Sequence, residues 1–175
     1  MRRTTIKWLH WLCLPLILYF WLVEPEENRA DPGGALSTHA GVGMALGVIV
    51  MMWFCIYLVK GITGRAGPKL PNWAKRIHQI MHKALYIGLP VMLVSGGLTG
   101  LLAPFAINGF GILPLSLEIG PKGLYQFLQE VHELVFNGLI TLIIVHIIFH
   151  LWRHFILKDN ALRIMVPKIL HKYLA

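Results

Sequence analysis

The sequence predicts an all-α membrane protein: a four-transmembrane-helix up-down bundle with both termini on the cytoplasmic side. Three observations predict it. Of the 175 residues, 56% are hydrophobic and 14% charged, with a mean hydropathy of +0.63, outside the range of ordinary soluble domains. Four apolar windows, at about 6–23, 39–61, 79–103 and 126–152, each reach the roughly 20 residues that a hydrocarbon core about 30 Å thick requires, the last helix running on to about 156. Basic residues crowd the same side of every span. The spans consume most of the chain and leave one transmembrane domain, 1–175.

Span one follows Arg2, Arg3 and Lys7 and runs into Trp21-Leu22-Val23-Glu24. No small-residue cleavage site interrupts it, so it reads as a mature helix and not a signal peptide. "EPEENRADPGGALST" is a polar outer loop rich in proline and glycine. Span two opens at His39 and ends in the basic inner connection "GITGRAGPKLPNWAKR", flanked by Lys60, Arg65, Lys69, Lys75, Arg76 and Lys83. Span three leads to the longer outer stretch "APFAINGFGILPLSLEIGPKG", where a short interfacial helix is expected. Span four is followed by Arg153, Lys158, Arg163, Lys168 and Lys172. Of the 16 basic residues, only Arg29 and Lys122 fall on the other side. Glu24, Glu26, Glu27, Asp31, Glu118, Glu130 and Glu133 lie on or near the outer side, and Asp159 alone inside. The net charge of +8 is therefore a topology signal that faces anionic membrane lipids. No nucleic-acid motif accompanies it, so nucleic acid is not an expected partner.

Cys13 and Cys55 both fall inside spans and form no C-x-x-C pair. Neither a disulfide nor a thiolate metal site is expected. The missing C-x-x-C-H motif excludes covalently attached haem, so any haem is held non-covalently.

Nine histidines remain to be explained, four of them in "VHELVFNGLITLIIVHIIFHLWRHF", residues 131–155. A polar side chain at membrane depth is costly and usually faces the bundle interior with a partner. Any one histidine near a helix end is equally well explained by snorkelling. The pattern says more. His132 and His146, 14 residues apart, stand roughly 21 Å apart along a helix and about 40° from sharing a face. His10 matches the depth of His146 near the inner surface, and His39 that of His132 near the outer one. Two imidazoles of facing helices at one depth can supply both axial ligands of a haem. Gly41, Gly43, Gly47 and Gly138 lie along these stretches; they leave space for a flat macrocycle, or merely permit close helix packing.

These residues carry a resemblance to the bacterial cytochrome b561 family of di-haem, four-helix membrane proteins. The matching segments are "IKWLHWL", "STHAGVGMALG", "YIGLPVMLVSGGLTGLL", "VHELVFNGLITLIIVH" and the tail "FILKDNALRIMVPK". The resemblance covers nearly the whole chain, and the spacing within span four and the tail are its specific parts. It implies a multi-pass protein of the bacterial inner membrane, with two haems b whose iron is bound by His10, His39, His132 and His146, the same four that depth matching selects.

His78 and His82, and likewise His150 and His154, repeat an i, i+4 spacing at the inner end. They can chelate a metal, although no carboxylate or cysteine converges in the sequence, or they snorkel. Similarity to quinone-linked members of the family favours a third role, a ubiquinone site built from His82, His150, Arg153 and His154, in which a histidine relays protons. His150, one turn from His146, also competes with it as a haem ligand.

Iron held by two histidines has no open position, so single-electron transfer is expected in place of inner-sphere chemistry. The implied oxidoreductase takes electrons from superoxide or a cytochrome outside and passes them to quinone inside. The alternative is a haem-bearing anchor subunit of a larger respiratory or dehydrogenase complex, served by a partner such as a c-type cytochrome. The acidic first outer loop opposes an anionic substrate and suits a basic partner.

Overall fold

The computed structural model describes residues 2–23, 25, 34–61, 67 and 69–166. Four long helices, α1 (Arg2–Leu22), α2 (Ala35–Lys60), α3 (Asn72–Leu101) and α4 (Lys122–Phe155), are each long and apolar enough to cross a membrane. Within hydrocarbon no water satisfies the backbone, so an isolated apolar segment must bond to itself as a helix. Proline and glycine set the ends. Pro71 and Pro121 precede α3 and α4 in extended conformation, and α2 stops at Gly61 with φ of 66°, a left-handed conformation that glycine adopts freely.

Each helix falls on an expected span, and α3 starts earlier than the apolar window at about 79. The extra turns, from Asn72, are too polar to register as a span. They bury Ala74 and His78 on the face that continues to Met81, an i, i+4, i+7 stripe. A short helix α5 (Ala161–Met165) follows Asn160, which sits at φ 58°.

The outer stretch between α3 and α4 corrects one expectation. In place of an interfacial helix it forms a small antiparallel hairpin, β1 (Asn108–Gly109) with β2 (Leu113–Pro114), registered Asn108 to Pro114 and Gly109 to Leu113. "NGFGILP" suits that turn, because Pro114 cannot continue a helix and Gly111 takes φ 77°. Phe110 shares the left-handed region at φ 52°, uncommon for a bulky residue. Bonds to α2 hold it there: Phe110 N donates to the Ser37 carbonyl at 3.1 Å, Gly111 N donates to Ser37 Oγ at 2.7 Å, and the Ser37 hydroxyl donates to the Asn108 carbonyl.

Helices adjacent in sequence pack together, α3 against α4 most extensively. The central core draws Cys13 and Phe20 from α1, Leu46 and Val50 from α2, Leu89 and Met92 from α3, and Leu139 from α4. Val48, Met51, Val94 and Ile148 point outward and exposed, as lipid-facing positions do, since lipid tails are as apolar as these side chains. Both cysteines are free, Cys13 buried and Cys55 exposed. The acidic loop residues Glu24, Glu26, Glu27 and Asp31, together with Arg29, Arg65, Lys168, His171 and Lys172, lie outside the described residues.

Candidate functional site

The imidazoles gather at the two ends of the bundle. At the hairpin end, His39 lies in the second turn of α2 and His132 on α4. Their ring centroids are 6.3 Å apart and the planes 87° from parallel. Two imidazole nitrogens that each bond a metal at about 2.0–2.1 Å stand about 4 Å apart, with the ring centroids farther back. The His39–His132 separation thus leaves room for one shared metal atom. Phe20 packs edge-on against His39 at 4.7 Å, and His39 Nδ1 is buried without a hydrogen-bond partner. His132 Nδ1 lies 3.0 Å from Ser95 Oγ. The hairpin packs on the same end of α2: a side chain at Gly41 would begin 2.5 Å from the Phe110 ring, so Gly41 is where Phe110 reaches the helix.

At the basic end, His10 packs against Trp11 and Trp53, with centroids 6.3 and 6.0 Å away, and lies within electrostatic reach of His146. The Nδ1 atoms of His10 and His146 are both buried without a hydrogen-bond partner. His146 approaches His150 at 4.5 Å and His82 at 5.1 Å between centroids. His82 Nε2 and His150 Nε2 are 3.3 Å apart. That contact engages His150, whereas Nδ1 of His146 remains unpaired.

His78 joins the group from α3. One nitrogen from each of His78, His82 and His150 lies within 4.8 Å of the others, a convergence across helices that i, i+4 spacing alone does not reveal. Such a donor set suits a transition metal or, through its ring N–H groups, a neutral carbonyl ligand, and Arg153 lies close enough to act electrostatically on all three imidazoles. Arg153 is itself fully buried and held by Asp159, Nε and Nη2 both reaching Oδ2 at 2.8 Å, with both side chains 1% exposed. The pair sits under Gly67, where a Cβ would come within 2.7 Å of Asp159 Oδ2. His154 is buried against Phe155, next to the ion pair in sequence, and is not part of the three-imidazole convergence.

The model of one protein family, described as prokaryotic cytochrome b561, matches residues 2–168. The chain belongs to the prokaryotic cytochrome b561 family. This cytochrome is similar to the probable superoxide oxidase CybB of Yersinia pestis, 26% identical over 170 residues that span 91% of this chain and 92% of that protein. It is a multi-pass bacterial membrane protein that carries haem b and transfers electrons. The residues present fit such a group: buried imidazoles with unpaired ring nitrogens line the bundle at both ends, and the facing pair between α2 and α4 has the spacing of two ligands to one iron.

Three features of this b561 cytochrome escape sequence reasoning. Gly41 receives an aromatic ring from a hairpin 69 positions later, Asp159 neutralises Arg153, and Ser95 meets His132. The first and last of these contacts join distant parts of the chain, and the second bridges the end of α4 and the turn just after it, so no helical periodicity relates the partners.

Proposed function

We propose that this cytochrome binds two haems b, one held by His39 and His132 at the hairpin end and one by His10 and His146 at the basic end, and that it carries electrons from an outer donor to a quinone at the cytoplasmic side. The observation that carries this reading is the His39–His132 pair, two imidazoles of different helices facing at 6.3 Å. When bound, bis-histidine haems supply outer-sphere, single-electron relay, because iron keeps no open position for a substrate. The protein's part is to fix the four imidazoles and to bury the space between them with Cys13, Leu46, Met92 and Leu139.

The name of its relative supports superoxide as the donor. Each superoxide gives one electron and leaves as dioxygen, so two superoxides and two cytoplasmic protons convert one quinone to quinol. The quinone headgroup sits beside His82 and His150, whose ring nitrogens can donate to a carbonyl oxygen and pass protons. Arg153 and His154 flank that position, with Asp159 keeping the guanidinium neutralised.

The experiment is a pyridine haemochrome assay on the detergent-purified chain, followed by quinol formation under a steady superoxide source. Two haems b per chain and one quinol per two superoxides are expected. One haem, or none, sinks the ligand assignment. Reduction by a cationic c-type cytochrome that weakens with salt, with no response to superoxide, assigns the anchor-subunit role instead. His82→Ala or His154→Ala should keep both haems and lower the rate of quinone reduction; unaltered quinone kinetics would return those residues to a packing role.

A further inference from the structure

Resting on the assignment of His132 as a ligand, we infer that Ser95 and Gly96 of α3 form a seat that orients this imidazole. Ser95 is the positioning residue that fixes which ring nitrogen is free to bind iron.

The proton count on Ser95 carries the inference. Its hydroxyl has one hydrogen and donates it to the Met92 carbonyl, 2.9 Å away on its own helix, the local back-bonding that serines make inside helices. Toward His132 Nδ1, at 3.0 Å, Ser95 Oγ can then only accept. Of the two tautomers that this contact admits, the one with the hydrogen on Nδ1 satisfies both bonds of Ser95 Oγ and leaves the Nε2 lone pair for a metal. Ser95 is 8% exposed, so water does not compete for this bond.

Gly96 supplies the space. A Cβ there would lie 2.7 Å from His132 Cε1 and 3.1 Å from Nδ1, closer than a side chain tolerates. The imidazole of α4 thus rests directly on the backbone of α3, at a height set by two consecutive residues. Thr99 Oγ1 donates to the Ser95 carbonyl at 2.9 Å, adding a second polar link along the same helix.

His132 differs in this from the other three proposed ligands, because the Nδ1 atoms of His10, His39 and His146 are buried without partners. An acceptor on Nδ1–H makes the opposite nitrogen a stronger electron donor and favours ferric over ferrous iron. Ser95 therefore lowers the potential at the hairpin-end site relative to the same site without the hydroxyl.

The test compares Ser95→Thr with Ser95→Val in the purified holoprotein. The two variants share a shape and differ in the hydroxyl, so steric damage affects both alike. Haem content is measured beside a potentiometric titration, with Gly96→Ala and His132→Ala as references. The Val variant is expected to raise one midpoint by a shift on the order of a tenfold preference, about 59 mV for a one-electron couple, while the Thr variant stays near wild type. Gly96→Ala should lower haem content, as His132→Ala does. If Thr and Val titrate alike while His132→Ala loses one haem, the seat is overturned and the ligand assignment stands. If His132→Ala keeps its full haem content, the ligand assignment falls and takes the seat with it.

Discussion

The proposed chemistry of this bundle rests on buried polar side chains, and each has a separable effect. His39→Ala and His132→Ala are each expected to remove one haem, the same one, and His10→Ala and His146→Ala the other. Haemochrome stoichiometry on the four variants checks this, with a fall from two to one predicted in every case. Asp159 makes a different prediction. Its carboxylate is the anion beside a guanidinium that is 1% exposed, so Asp159→Asn strands a buried cation. Removing one partner of such a pair costs about 3–5 kcal/mol, which thermal unfolding in detergent should register as a clear loss of stability with the helices otherwise unchanged. At this scale the sequence revealed the four candidate ligands, because depth along a helix follows from counting residues. It did not reveal Ser95, whose partner lies 37 positions away on another helix.

Among the elements, the segment from Ala103 to Pro121 shows how packing overrides a composition-based reading. An apolar stretch near the membrane surface is ordinarily read as an interfacial helix, yet paired glycines and Pro114 turn it into a hairpin anchored on Ser37. Its return to α4 passes Gly120, where a Cβ would lie 1.8 Å from the Leu102 carbonyl oxygen. Backbone cannot yield to that extent. Gly120→Ala should therefore displace the hairpin and cost at least the roughly 1–3 kcal/mol of an overpacked site, whereas Gly123→Ala, with open space around it, should be nearly neutral. Faster limited proteolysis within the hairpin of the Gly120 variant alone is the expected result. The helices were legible because each apolar run satisfies its own backbone. The hairpin was not, since its anchors come from α2.

For the molecule as a whole, the asymmetry of basic residues predicts both termini in the cytoplasm and the hairpin outside. A C-terminal alkaline phosphatase fusion should be inactive, and the same reporter inserted at Glu118 active. The reverse pattern would exchange the donor and quinone ends of the proposed path. By itself the sequence determined the membrane class, the four spans and the histidines worth testing, because hydropathy, charge and helical rise are properties of a chain read one segment at a time. Only the tertiary structure decided that His39 faces His132 at 6.3 Å, that His78 completes a cluster with His82 and His150, and that Arg153 spends its charge on Asp159. Those facts depend on how helices rotate and lean against one another, and that is settled by side chains competing for the same buried volume.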